Sequence, residues 1–294
     1  MKRFSIILAA ILALATAASQ AQSQSTHPMF HVEVTGHGAP MIFIPGLASS
    51  GATWDSTVAH YAKQYQCHVL TLAGFAGEPA VPGFSLEKVR DQISEYIAAN
   101  RLAPAIVVGH SLGGDIALWL AAEHPEQVSK LVIVDSLPAL GAIQNPNVTP
   151  EQLHASAEKM RQNMLNMPEE ARLKMAKQAV TGMATNEADV NLIYGWSQRT
   201  DPKTEANAIS DLMELDLRNE VGKIKAPTLV LGTWIAYSAY ATQDEVRQTF
   251  VTQYKKLDGV QIELAPKARH FIMYDDPQWM FTQMDHFLGN KVKQ

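Results

Sequence analysis

Short apolar runs alternate with helix-like patterns along most of this 294-residue chain. Three of the runs, residues 41–44, 105–108 and 131–134, are short and continuous. Runs of this kind are typical of strands that are buried on both faces of a sheet. Because helical patterns separate them, the chain predicts an α/β fold in which helices cover both faces of a mostly parallel sheet.

The remaining segments fit the same alternation. Residues 31–38 alternate between apolar and polar side chains and then reach two glycines, which predicts an edge strand leading into a hairpin. Further strands are predicted at residues 68–72, 228–231 and 260–264. Helices are predicted at residues 53–65, 86–99, 111–123, 244–257 and 278–288.

Residues 136–220 interrupt the alternation, because they carry helical patterns and no predicted strand. A capping box at residues 149–152 precedes a stripe of apolar side chains at residues 153–167, in which the later members are methionines. Methionines of this kind form ordinary core or a deformable lining for an apolar substrate. We predict a helical cap at residues 136–220, inserted after the sixth strand, on a core made of residues 22–135 and 221–294.

The first residues have the pattern of a targeting signal. Lys2 and Arg3 precede a mostly apolar run at residues 4–18, which is too short to span a bilayer. Small residues follow and end at Ala21. This predicts a signal peptide at residues 1–21, export to a periplasm or secretion, and no membrane span after cleavage. An N-terminal membrane anchor is the alternative.

Charge and cysteine content exclude several classes of protein. The net charge of −5 argues against a nucleic-acid partner, since such a protein needs a basic face to displace counterions from phosphates. A single cysteine, Cys67, excludes an intramolecular disulfide and a cysteine-based metal site. We therefore expect a small-molecule substrate, with no metal or organic cofactor. The sequence leaves the oligomeric state open.

One motif carries chemistry. Residues 109–113, Gly-His-Ser-Leu-Gly, lie between the strand predicted at 105–108 and a predicted helix. In that setting the motif predicts a sharp turn that exposes the hydroxyl of Ser111, where side chains at the glycine positions would collide with the strand and helix. The N–H groups at the start of the helix then point at any oxyanion formed there. A serine that only caps the helix is the alternative.

With these residues the chain resembles the α/β-hydrolases over nearly all of its length after residue 21. The resemblance rests on the motif just described, on residues 43–47 with Trp54 beyond them, and on residues 268–271. It implies that Ser111 is the nucleophile, that His270 is the general base, and that the backbone N–H groups of Leu47 and Leu112 form the oxyanion hole. Position also favours His270, because it follows the last predicted strand and should emerge at the same sheet edge as Ser111.

Departures from the family pattern leave the reacting groups in place but put the acid in doubt. Pro45 and Arg269 replace a histidine and a glycine that are frequent in the family, and neither is a reacting group. Many relatives carry an aspartate shortly after the strand predicted at 228–231, but residues 233–240 hold no carboxylate.

Two aspartates are candidates for the acid of the triad. Asp135 ends the strand predicted at 131–134, which resembles the subset of the family whose acid follows that strand. Asp244 is the alternative; the neighbouring Glu245 is already explained by a capping box with Thr242. We favour Asp135.

Together these features predict an exported serine hydrolase, most simply a carboxylic ester hydrolase that works through an acyl-enzyme on a small or medium, partly apolar substrate. An amidase or peptidase and a carbon–carbon bond hydrolase are alternatives within the same fold. The acids that an aminopeptidase would need, Glu169, Glu170 and Glu187, have the pattern of exposed helix starts. A non-catalytic ligand carrier is the alternative of another class.

Overall fold

One seven-stranded sheet organises the chain, of which the computed structural model describes residues 27–290. The strands are Phe30–Gly36 (β1), Ala39–Ile44 (β2), Tyr65–Leu72 (β3), Ala105–His110 (β4), Val128–Val134 (β5), Thr228–Thr233 (β6) and Gln261–Ala265 (β7). Their order in the sheet is β1-β3-β2-β4-β5-β6-β7. β1 is antiparallel to β3, and every other neighbouring pair is parallel. The predicted mostly parallel sheet is confirmed.

Helices connect the strands. They are Asp55–Tyr61 (α1), Leu86–Ala99 (α2), Leu112–Glu123 (α3), Pro150–Leu165 (α4), Glu169–Met183 (α5), Glu187–Gln198 (α6), Pro202–Glu214 (α7), Gln243–Gln253 (α8), Ile272–Asp275 (α9) and Pro277–Leu288 (α10). The helix predicted at residues 53–65 is shorter than expected. Residues 62–64 form a turn, and Tyr65 begins β3, where it pairs with Ala39 of β2.

Both faces of the sheet are buried, as the continuous apolar runs predict. Ile42 and Ile44 of β2 point into one hydrophobic cluster, which α2, α3 and α8 cover. Met41 and Phe43 of the same strand point into a second cluster on the opposite face, which α1 and α10 cover. The alternation of side chains along one strand therefore places a layer of helices on each side of the sheet.

The predicted hairpin between the first two strands is wrong. β3 lies between β1 and β2, and β1 pairs with β3. Gly36 and Gly38 have φ angles of 85° and 109°, and a side chain at these positions would collide with the carbonyl oxygens of Ala62 and Gln64. The turn thus passes close to the start of β3, and β2 then lies on the far side of β3 from β1. A local pattern of strand and turn does not reveal that a third strand lies between the two.

The helical insertion follows β5, the fifth strand of the described residues, and not the sixth strand as predicted. Only β1 precedes β2, because residues 37 and 38 lead directly from one strand into the other. The segments predicted as strands before residue 136 also number five, so the position after the sixth strand is a miscount of them.

Residues 136–220 hold four α-helices, α4 to α7, and no strand. On the predicted stripe of α4, Leu153 and Ala157 are buried, while Met160 and Met164 are only half-buried. Apolar side chains of α7 join the first core cluster, and those of α5 and α6 join the second. The insertion is thus attached to the helical layers on both sides of the sheet.

The predicted signal peptide, residues 1–21, lies outside the described residues. Between residues 27 and 290, no helix is both long enough and apolar enough to span a membrane.

Candidate active site

The turn from β4 into α3 places Ser111 at the carboxyl edge of the sheet. Ser111 has a φ of 52°, a conformation that is strained for a residue with a side chain. A side chain at Gly109 would collide with the backbone of Gly113, and a side chain at Gly113 would collide with the carbonyl oxygens of Ile44 and Pro45. Both glycines are therefore required by close approach of the backbone, as the sequence motif predicts.

The loop after β2 packs directly against the serine. A Cβ atom added at Gly46 would lie 3.2 Å from Cβ of Ser111, so the neighbouring Leu47 is close to the start of α3. Within residues 27–290, the N–H groups of Leu47 and Leu112 donate no hydrogen bond to the chain. Two free N–H groups beside the half-buried Ser111 are the arrangement that an oxyanion hole requires.

The structure brings Asp135 and His270 together. Nδ1 of His270 lies 2.6 Å from Oδ2 of Asp135, and the other carboxylate oxygen accepts a hydrogen bond of 2.8 Å from the N–H of Thr233. The Asp135 side chain is 4% exposed, so this carboxylate is buried with both oxygens satisfied. A carboxylate held in this way fixes the proton of the imidazole on Nδ1 and leaves Nε2 free to accept a proton.

The other candidate acid is not brought to this point. Asp244 is exposed in the first turn of α8, where the capping box between Thr242 and Glu245 is formed as predicted. The acidic residues Glu169, Glu170 and Glu187 are also exposed, each in the first turn of its helix. None of these carboxylates makes a hydrogen bond or ion pair with His270 in the described part of the chain.

In the described part of the chain, no hydrogen bond joins Ser111 to His270. The residue before the serine, His110, has its ring centroid 4.6 Å from that of His270, so the turn at Ser111 and the His270 loop are neighbouring segments. Rotation about the Cα–Cβ bond of Ser111 moves its hydroxyl, and contacts of this kind tighten when a substrate binds.

Residues 39–277 match a family model described as the alpha/beta hydrolase fold, which covers most of the chain. The chain belongs to the α/β-hydrolase family. The resemblance inferred from the sequence motifs is thereby confirmed, and so is the α/β-hydrolase fold.

Curated relatives of this α/β-hydrolase extend over nearly its full length. A pimeloyl-[acyl-carrier protein] methyl ester esterase of Vibrio vulnificus is 27% identical over 260 residues, covering 87% of this chain and 90% of the relative. The mouse sn-1-specific diacylglycerol lipase ABHD11 is 26% identical over 267 residues, covering 85% and 80%. The crystal structure of an enol-lactonase from Burkholderia xenovorans superposes with a TM-score of 0.71 at 18% identity, covering 89% of this chain and 96% of that one, and shows the same fold.

His110 is a buried neighbour of the site that the sequence does not single out. Its Nε2 donates a hydrogen bond of 3.0 Å to the carbonyl oxygen of His270. Burial, with a smaller effect of nearby His270, holds the pKa of His110 well below its usual range, so the ring is neutral. A neutral donor in this position supports the loop that carries His270 without adding a positive charge beside it.

Behind the site lies Asp115, a fully buried carboxyl group in the first turn of α3. Burial raises its pKa to about 8, although the hydrogen bond of 2.6 Å that it accepts from the Ser136 hydroxyl lowers it in part. The adjacent Ser136 carbonyl accepts a hydrogen bond of 2.8 Å from the Tyr254 hydroxyl. Near neutral pH Asp115 is therefore mostly protonated, and it places little negative charge near the start of α3.

Tyr237 is a second residue that sequence reasoning misses. Tyr237 is 48% exposed as a whole residue, but partial burial of its hydroxyl end, and to a smaller extent the charge of Asp135, raise its pKa. The tyrosine belongs to the segment after β6 in which relatives carry an aspartate. In the sequence, this segment holds no carboxylate but carries Trp234 and Tyr240 as well as Tyr237. We call residues 234–241 the aromatic loop.

Two open cavities of about 460 and 520 Å³ lie along this loop and along α8, and neither is lined by Ser111 or His270. Among residues 27–290, no group of three or more histidine, cysteine or acidic side chains is arranged to hold a metal ion.

Proposed function

We propose that this protein is a serine hydrolase that cleaves carboxylic esters through an acyl-enzyme. His270 takes the proton of the Ser111 hydroxyl as the oxygen attacks the ester carbonyl, and the N–H groups of Leu47 and Leu112 stabilise the oxyanion. His270 then protonates the departing alcohol. Water, deprotonated by His270, attacks the acyl-enzyme and releases the carboxylic acid and Ser111.

The contact between Asp135 and His270 is the observation that carries this proposal. A base can act on Ser111 only if its Nε2 is unprotonated, and the 2.6 Å contact at Nδ1 selects that tautomer. Asp135 also stabilises the imidazolium that forms during attack. We therefore assign Asp135 as the acid of the triad.

The choice of an ester rests on the relatives. Those named above are a methyl ester esterase and a diacylglycerol lipase, and both names describe hydrolysis of a carboxylic ester. The half-buried methionines of α4 fit a small or medium, partly apolar substrate, because methionine side chains adapt to irregular apolar groups.

We also propose that the protein is exported to a periplasm or secreted. The support is the basic, apolar and small-residue order of residues 1–21. Cys67 is compatible with an oxidising compartment, because its thiol is buried and burial raises its pKa to about 11.

The test is labelling with a fluorophosphonate probe. Wild-type protein should be labelled, Ser111→Ala should not, and the matched control Ser238→Ala, which removes an exposed hydroxyl, should be labelled like the wild type. Failure of the folded wild type to react would remove the proposal and favour a ligand carrier.

A substrate series separates ester from amide hydrolysis. We expect p-nitrophenyl esters of short and medium acyl chains to be cleaved with a burst of p-nitrophenol, and the matching p-nitroanilides to be cleaved far more slowly. Faster cleavage of the anilides would instead identify an amidase.

A further inference from the structure

Hydrogen bonds attach the loop that carries His270 to the helical insertion. We call this set of contacts the insertion clamp. On the side of His270, its members are Arg269, Phe271 and Asp275, the last residue of α9. On the side of the insertion, they are Gly182 and Met183 at the end of α5 and Thr185 in the turn that follows.

Two of the contacts satisfy the end of a helix. The last carbonyl groups of an α-helix have no partner within the helix. In α5, the carbonyl oxygen of Gly182 accepts a hydrogen bond of 3.2 Å from the Arg269 guanidinium, and that of Met183 accepts one of 3.1 Å from the N–H of Phe271. Arg269, which stands where the family often has glycine, thus caps a helix of the insertion with a positive charge at its negative end.

The carboxylate of Asp275 joins the two segments directly. One oxygen accepts a hydrogen bond of 2.8 Å from the N–H of Thr185. The other accepts one of 3.0 Å from the Thr185 hydroxyl and one of 2.8 Å from the N–H of Arg269. The Thr185 N–H, the Thr185 hydroxyl and the Arg269 N–H all donate, so a side chain with two accepting oxygens is needed to satisfy all three.

The clamp surrounds the catalytic base proposed above. Arg269 and Phe271 flank His270 in the chain, and the insertion holds both of them, while Asp135 holds the ring at Nδ1. From this we propose that Asp275 is a positioning residue: it fixes the His270 loop to the helical insertion, so that the orientation of the imidazole depends on where the insertion lies. This inference rests on the proposed function only for its effect on catalysis.

Asp275→Asn is the informative substitution. The variant has nearly the same shape, but its amide NH₂ group must face at least one of the three donors, so at least one of the three hydrogen bonds of Asp275 is lost. Asp276→Asn is the matched control. Among residues 27–290, the Asp276 carboxylate accepts only the N–H of Trp279 at the start of α10, and asparagine caps a helix equally well. Asp275→Glu, which keeps a carboxylate, should recover part of the loss.

The first readout does not require activity. The ¹⁵N chemical shifts of the His270 ring, assigned by comparison with His270→Gln, report which ring nitrogen carries the proton. We expect a single Nδ1–H tautomer in the wild type and in Asp276→Asn, and a mixture in Asp275→Asn. The second readout is ester hydrolysis, where kcat of Asp275→Asn should fall roughly ten- to a hundred-fold with a small change in KM.

The outcomes separate the two proposals. Equal ¹⁵N shifts in Asp275→Asn and the wild type, at equal melting temperatures, would overturn the positioning role even if the protein hydrolyses esters. A shifted tautomer in Asp275→Asn, combined with a wild-type protein that no fluorophosphonate labels, would support the positioning role and overturn the proposed function.

Discussion

Strained backbone is concentrated at the candidate active site. Ala48, Ser111 and Asp135 are three of the five non-glycine residues with positive φ between residues 27 and 290. Each follows the carboxyl end of a strand, or the loop that extends it. The left-handed conformation turns the chain sharply at these points, at a cost of about 1–3 kcal/mol per residue, and so aims the serine and the carboxylate toward one place.

Substitution of the two candidate acids distinguishes them. Asp135→Asn should lower kcat by on the order of 10³- to 10⁴-fold, because the amide favours the wrong imidazole tautomer. Asp244→Asn should leave kcat close to that of the wild type, since Asp244 is exposed on α8. Steady-state kinetics on one ester measures both, and similar small losses in the two variants would refute the assignment of Asp135.

Asp115 should make stability depend on pH. Its pKa is raised from 3.8 to about 8 in the folded protein, so between these values the folded state holds a proton that the unfolded chain releases. The contribution of Asp115 to stability is thus greatest below about pH 4 and is lost as the pH rises toward 8, by up to about 1.4 kcal/mol per pH unit.

Asp115→Asn removes this titration. The stability of the variant relative to the wild type should therefore increase from pH 5 to pH 8, as measured by urea unfolding at several pH values. A difference in unfolding free energy that does not change with pH would contradict a raised pKa at Asp115.

At the scale of the elements, two glycines near helix ends should respond in opposite ways to alanine. Gly113→Ala places a methyl group against the carbonyl oxygens of Ile44 and Pro45, so we expect a loss of at least ~3 kcal/mol or failure to fold. Gly182→Ala meets nothing within 4 Å and lies in α5, so it should stabilise the fold by up to ~1 kcal/mol.

Thermal unfolding of the two variants tests this pair. Equal melting temperatures would show that the backbone of the turn yields more easily than its close contacts indicate.

The pattern of apolar runs predicted where the strands and most helices lie, because burial on both faces leaves a continuous signal in the chain. It did not predict which strands are neighbours. The pairing of β1 with β3 depends on how Gly36 and Gly38 pass residues 62–65, and this contact is between segments distant in sequence.

The site was predictable in proportion to how local its geometry is. The turn at Ser111 is encoded by neighbouring residues, so the motif is visible in the sequence. Whether Asp135 or Asp244 meets His270 depends on three separate elements, and only the folded chain brings Asp135 to the histidine. Tyr237 and the clamp at Asp275 likewise arise from contacts that no local pattern contains.

At the scale of the whole molecule, the insertion is held together by a buried ion pair. Nη1 of Arg172 in α5 lies 3.0 Å from Oε2 of Glu205 in α7, and both side chains are at most 10% exposed. This pair connects the helices that pack on opposite faces of the sheet. The insertion is therefore built to keep its two halves in one arrangement over the carboxyl edge.

Glu205→Gln should destabilise the protein by about 3–5 kcal/mol, because it leaves a buried guanidinium without its counter-charge. Chemical unfolding measures this loss. The matched control is Glu158→Gln in α4. The Glu158 carboxylate pairs with Arg161 near the surface, so this substitution should change stability far less than Glu205→Gln. Equal losses in the two variants would mean that the buried pair has no special role.

Export predicts a processed chain. Expression of the full sequence in a bacterium should yield a periplasmic or secreted protein whose first residue is Gln22, as determined by intact mass spectrometry. Replacing Lys2 and Arg3 by glutamate should retain the precursor in the cytoplasm. A full-length chain that remains with the membrane would indicate an anchor instead.

The position of the proposed acid has a practical consequence for redesign. The proposed acid, Asp135, contacts His270 from the end of β5. With Asp135 in that role, the aromatic loop after β6 supplies no reacting group, and its length and composition can change. Residues 234–241 are thus a site where loops from other enzymes can be grafted to change what the enzyme accepts. In relatives whose acid lies on that loop, the same exchange would remove the catalytic residue.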